Sequence, residues 1–157
     1  MDALKRRPVG ILLSYLDAAH DLLPDEPTAS TASRMRTLRL LVLIISVLTI
    51  ISGLVQMIKP GFVLHFIGGE STPSTRHFFG IIGMFMLLFG GLIIQALYEA
   101  QPSRAAFLWA ALQKIGASVA VGLGILHGLF SPLAGLVASF DLVSGILFFL
   151  YLRSLRH

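Results

Sequence analysis

The sequence predicts an all-α membrane protein, a four-transmembrane-helix bundle with both termini cytoplasmic and an N-terminal amphipathic helix. Three observations carry the prediction. Hydrophobic residues make up 55% of the 157 and charged residues only 13%, and the mean hydropathy is +0.84, too apolar for an ordinary soluble domain. The apolar residues gather into four runs, each close to the ~20 residues that cross a ~30 Å hydrocarbon core as a helix. These runs are continuous rather than alternating, unlike the strands of a β-barrel, and a helix satisfies its own backbone polar groups in lipid.

Residues 1–23 begin with Lys5, Arg6 and Arg7, then place Pro8 where a first helical turn tolerates it. Val9, Leu12, Leu13, Leu16, Ala19 and Leu23 follow at helical spacing, with Asp17, His20 and Asp21 on the other side. This pattern predicts an amphipathic helix lying on the membrane surface or against a partner. It does not read as a secretory signal peptide, because Ser14, Tyr15 and Asp17 interrupt the apolar stretch. Residues 24–33 combine proline, acid and small hydroxyl residues without an apolar period, and read as a linker.

The transmembrane domain is expected over 34–157, with spans at about 38–58, 78–97, 107–129 and 133–152. The loop between the first two opens on Lys59-Pro60-Gly61 and ends in a turn-rich Gly, Ser, Thr and Pro segment; between them, 62–67 reads as a short interfacial helix on the outer leaflet. A tight turn at Phe130, Ser131 and Pro132 joins the last two spans, since proline there would break one long helix. Basic residues set the orientation. Lys5, Arg6, Arg7, Arg34, Arg36 and Arg39 precede the first span and Arg153 and Arg156 follow the last, against Lys59 and Arg76 in the first connection, which puts both termini inside.

Lipid gives helices little hydrophobic reason to associate, so packing faces are expected at rows of small or weakly polar residues. Ser46, Thr49, Gly53 and Gln56 form such a row in the first span, and Gly80, Gly83 and Gly90 in the second. The third carries Gly116, Ala120, Gly124 and Gly128, and the fourth Ala134, Ala138, Asp141 and Gly145.

Two ionisable residues interrupt the last two spans. Lys114 and Asp141 fall at similar depths on adjacent antiparallel helices, and Asp141 shares its face with small residues, where an expensive intramembrane charge belongs. This predicts an interhelical ion pair, with Gln113 or Ser144 adding hydrogen bonds. The competing reading has Lys114 reaching back to the cytoplasmic interface while Asp141 is protonated or bonded to a serine or backbone group.

Other chemistry is thinner. There is no cysteine, which excludes disulfides, thiolate metal sites and iron–sulfur clusters. The net charge of +4 resides at the ends of apolar runs, a topology signal and not a nucleic-acid footprint. His65, His77 and His127 all fall on the outer side and are candidate cofactor or metal ligands, although no HExxH accompanies them. Arg76 and the cluster Arg34, Arg36 and Arg39 are candidates for lipid headgroups. Phe78, Phe79, Phe85, Phe89, Phe148 and Phe149 read as lipid-facing filler that could otherwise cover a quinone, carotenoid or lipid tail. Trp109, Tyr98 and Tyr151 read as interfacial anchors.

The first span ending in Lys59-Pro-Gly-Phe62, the run Arg76-His-Phe-Phe-Gly80-Ile-Ile-Gly83, the Lys114-Ile-Gly116 step and the Phe140-Asp141 step together resemble the DoxX-like group of small bacterial four-helix membrane proteins, over residues 38–153. The resemblance implies a four-helix bundle in a bacterial inner membrane; some members of that group are membrane subunits associated with quinone-linked sulfur oxidation. The function expected from all this is a non-catalytic accessory or structural subunit of a larger, bioenergetic membrane complex, with membrane lipids and other membrane-protein subunits as partners. A small-molecule or lipid carrier using Asp141 and Lys114 is one alternative. A membrane redox protein binding quinone, haem or a carotenoid or chlorophyll-type pigment near His77 and His127 is the other.

Overall fold

A computed structural model describes residues 29–155. The helix bundle lies in the unit Arg34–His157. The expected amphipathic helix at 1–23 lies outside the described residues, as does Arg156.

Among the described residues the protein is helical throughout: α1 (Ala29–Ile58), α2 (Pro60–Phe66), α3 (Pro73–Tyr98), α4 (Arg104–Leu126) and α5 (Ala134–Ser154). Four of these, all but α2, are long and apolar enough to cross a membrane, the shortest having 21 residues, or about 31 Å at ~1.5 Å per residue. The helices overrun the apolar spans for identifiable reasons. In α3, Thr72 accepts from Thr75 N while its own N–H donates to Thr75 Oγ1, a capping box with Pro73 in the first turn. The helix therefore starts five residues before the apolar run at Phe78. The first helix likewise begins at Ala29, so 29–33 of the expected linker is helical.

The third span ends earlier than expected, at Leu126 rather than 129. Gly128 adopts φ +71°, its N–H bonds to Ile125 O and that of Leu129 to Gly124 O, a Schellman stop. The short α2 ends in the same way at Gly68, where φ is +70° and Gly69 N–H bonds to Leu64 O. These two stops meet: Ser131 N–H donates to Ile67 O at 2.8 Å, fastening α2 to the α4–α5 turn. The connecting helix thus packs one face, Leu64 and Ile67, on the protein. Leu64 and Ile67 are buried against Ala134, with Phe79, Val121, Ile125, Phe130 and Val137 around them, while Phe62, His65 and Phe66 on its other side stay exposed.

Gly68 carries two constraints at once, since a Cβ there would sit at left-handed φ and 2.7 Å from Ser131 Cβ. Gly68→Ala is expected to lower stability by about 1–2 kcal/mol from the left-handed conformation alone and more from the clash. Gly128→Ala, whose Cβ would meet nothing within 4 Å, is expected to show only the conformational part. Unfolding titrations of the two variants in mixed micelles check the difference.

A larger apolar cluster fills the opposite end, where Val42, Ile45, Ile93, Ala96, Leu97, Phe107, Ala110, Ala111, Phe148 and Tyr151 are buried together. Tyr151, expected as an interfacial anchor, instead packs edge-to-face on Phe107 at 4.8 Å. Trp109 and Tyr98 are exposed, as anchors would be. Arg39 ties this end together. Its Nη2 donates to Leu97 O at 2.8 Å, and its guanidinium stacks over Tyr98, so the last turn of α3 is capped by a cation from α1.

The small-residue rows of α1, α3 and α5 are used as expected. Gly53 of α1 and Gly83 of α3 face one another so closely that a Cβ on either would lie 2.6 Å from the other's carbonyl oxygen, and Gly90 packs on Ser46 and Ile50. On α5, Ala134, Asp141 and Gly145 are buried and Ala138 half-buried. The row of α4 is different. Gly124 is covered by the Phe130 ring, but Gly116 and Ala120 are exposed, and nothing comes within 4 Å of a Cβ on Gly116. The face of α4 that packs inside the protein is Ala106, Phe107, Ala110, Ala111 and Lys114.

Candidate functional site

Between the two apolar clusters lies a polar layer. On α4, Lys114 follows Ala110 and Ala111 of one cluster and precedes Val121 and Ile125 of the other; on α5, Asp141 and Ser144 follow Val137 and precede Phe148 and Tyr151. Measured from the Arg39 end, Lys114 stands about 15 Å along α4 and Asp141 about 20 Å along α5, at ~1.5 Å per residue. The offset is within the reach of a lysine side chain. Lys114 Nζ donates to Asp141 Oδ1 at 2.6 Å, and the residues are only 2% and 6% exposed. The expected ion pair is therefore present, and Lys114 does not reach back to the interface.

Local packing brings the pair together. Gly145, one turn after Asp141, lets α5 approach α4 until a Cβ there would meet Ile115 Cγ1 at 2.7 Å and Ala111 O at 3.0 Å. The backbone of α5 thereby lies against the stretch of α4 that carries Lys114. Phe140, beside Asp141 in sequence, sets its ring 5.2 Å from Lys114 Nζ, adding a cation–π contact. Ser144 does not join the pair: its hydroxyl donates to Phe140 O in its own helix at 2.6 Å. Gln113 is half-buried and faces the small cavity beside Lys114.

Taking two ions out of water costs several kcal/mol each, and their attraction in a low dielectric returns this only when the geometry is good. In this geometry, sliding or rotating α5 on α4 would strand a buried charge. The layer continues into α1. Ser46 is fully buried with its hydroxyl donating to Val42 O, and Thr49 is 3% exposed; farther along α1, beside the smaller cluster, Gln56 Nε2 donates to Phe79 O of α3 at 2.9 Å. Sequence reasoning placed these residues on a packing row and missed that Ser46 and Thr49 belong to the layer of the charge pair. Their depth on α1, two to three turns inside Arg39, was the available signal.

The space at the pair is small. One cavity of about 10 Å³ is lined by Ser46 and Thr49 of α1, Phe89 and Gly90 of α3, Ala110, Gln113 and Lys114 of α4, and Phe148 of α5. A solute does not fit there.

The remaining candidates are at the surface. His65, His77 and His127 are all exposed; His77 leans edge-on to Phe78 and His127 is the C-cap of α4. Among the described residues no three His, Asp or Glu side chains are grouped to hold a metal ion. Arg76 and His77 border an open groove of about 570 Å³ whose other walls include Met57, Ile81 and Met84. Arg34 and Arg36 are exposed, whereas Arg39 is engaged with α3. Phe78 and Phe85 are exposed, but Phe148, expected to face lipid, is buried in the larger core.

No protein-family model matches the chain, and no curated protein or solved structure does.

Proposed function

We propose that this chain is a non-catalytic accessory or structural subunit of a larger, bioenergetic membrane complex, held in a bacterial inner membrane with both termini cytoplasmic. The observation that carries the reading is the unused small-residue face of α4. Small residues in membrane helices permit close helix approach, and Gly53, Gly83, Gly90 and Gly145 all serve contacts within the chain. Nothing comes within 4 Å of a Cβ on Gly116, and Gly116 and Ala120 lie on the same exposed side as Leu112, Val119 and Leu123. Such a face suits a transmembrane helix of a neighbouring subunit. The enclosed ion pair fits a scaffold better than a carrier, because the cavity beside it is of water size. The bacterial and bioenergetic setting rests on the DoxX-like resemblance, and the orientation on the distribution of basic residues.

Lipid is the second partner. The groove beside Arg76 offers a cation above apolar walls, and Arg76 has no carboxylate partner among the described residues, an arrangement suited to a lipid phosphate with its chain along Ile81 and Met84.

Native pull-down of the tagged chain with mass spectrometry tests the subunit reading. Larger membrane subunits should copurify at fixed stoichiometry, and a Gly116→Leu, Ala120→Leu variant should recover at least about tenfold less of them (~1.4 kcal/mol of lost association) while keeping its helix content. A monodisperse chain without partners, or undiminished recovery in the variant, would refute it.

A further inference from the structure

We infer that the cavity at the centre of the bundle binds a single water molecule, which bridges Lys114 on α4 to Thr49 on α1 and completes the hydrogen bonding of the buried charge pair. Two independent observations meet at this point. The first is an orphaned group. Thr49 is 3% exposed, and its Oγ1 is buried without a hydrogen-bond partner, a deficiency that native interiors relieve with water when no protein group is in reach. The neighbouring Ser46 shows the alternative, turning its hydroxyl back to Val42 O at 2.8 Å; Thr49 does not do so.

The second is Lys114 itself. An ammonium has three donors. One goes to Asp141 Oδ1, and the Phe140 ring covers another side. No further acceptor among the described residues reaches Nζ, and burial leaves it no bulk solvent. Both residues line the same narrow space of about 10 Å³, at the lower edge of the ~10–15 Å³ that one water needs.

The chemistry of the lining selects the occupant. A metal cation would face the Lys114 ammonium, and an anion would bring an uncompensated charge to a pair that is already neutral. A neutral molecule that accepts from Lys114 and donates to or accepts from Thr49 fits, and only water is small enough. The site is also where all four spanning helices meet, because its lining draws on α1, α3, α4 and α5. The water therefore extends the α4–α5 clamp to α1, and a solvent molecule becomes a structural part of the bundle.

The chain has three lysines, Lys5, Lys59 and Lys114, so nitrogen-15 lysine labelling of the full protein in bilayers gives three ammonium signals, assigned with Lys5→Arg and Lys59→Arg. Proton-detected solid-state NMR should show a direct through-space contact between the Lys114 ammonium and a slowly exchanging water proton, and the same water at the Thr49 methyl. The contact should persist in Thr49→Ser, which keeps the hydroxyl, and be lost in Thr49→Val. A Lys114 signal with contacts to Asp141 and Phe140 alone would overturn the proposal, as would a water contact unchanged in Thr49→Val. Should Thr49→Val not fold, the native protein and Thr49→Ser still decide, because absence of water at either residue in the native chain is sufficient to reject the bridge.

Discussion

Replacing Asp141 with leucine is expected to cost about 3–5 kcal/mol of stability, the range for removing one partner of a buried ion pair. The loss comes less from the missing attraction than from what remains. Lys114 would be left at 2% exposure without its carboxylate partner, with apolar residues above and below it and the Phe140 ring beside it. Lys114→Met is expected to cost a similar amount, because it leaves the Asp141 carboxyl in the same buried layer without its partner. Combining the two should recover most of the damage, since apolar replacement of a whole buried pair is often close to neutral. A cycle of chemical unfolding in mixed micelles should then give a coupling above about 2 kcal/mol. Additive losses would mean that the 2.6 Å contact contributes nothing specific.

The pair was legible in the sequence because intramembrane charge is rare, and its cost forces a short list of solutions. Depth along two antiparallel helices, counted at a fixed rise per residue, was enough to match Lys114 with Asp141. The four spans were legible for a similar reason, since hydrocarbon thickness sets their length. What depended on local hydrogen bonding was harder to see. Apolar content placed the start of the second span at Phe78, while the helix begins where Thr72 and Thr75 cap each other; the Thr-Pro-Ser-Thr string carried that signal. Gly128 similarly stopped α4 ahead of the apolar boundary. The spacing of small residues carries less information than the charges do. A glycine every fourth residue on α4 marks a face but not what covers it, and the chain buries the Ala110, Ala111 and Lys114 face because that is the side bearing the charge. Tyr151 shows the same limit: its position near a membrane boundary suggested an anchor, while its ring packs edge-to-face on Phe107 in the buried cluster.

The sharpest test of the packing itself is a pair of glycine-to-alanine exchanges with opposite signs. Gly83→Ala would set a methyl 2.6 Å from Gly53 O and 2.7 Å from Met57 N. Both are backbone atoms within a helix, so no side chain can rotate away, and α1 and α3 must separate. Separation would also strain the Gln56 bond to Phe79 O and the cap that Arg39 places on Leu97 O, contacts that depend on the same helix spacing. A loss of about 1–3 kcal/mol is expected from overpacking, with Gly53→Ala alike because the contact is reciprocal. Gly91, eight residues on in α3, has nothing within 4 Å of an added Cβ, and there alanine's better helix propensity should add up to about 1 kcal/mol. Gly116→Ala should follow Gly91 in the isolated chain for the same reason. The two sites on one helix thus isolate packing from propensity: both carry the same chemical change in the same lipid, and only the distance to a neighbouring backbone differs. Equal effects at Gly83 and Gly91, measured by unfolding in mixed micelles, would show that the close crossing of α1 and α3 does not form in the membrane.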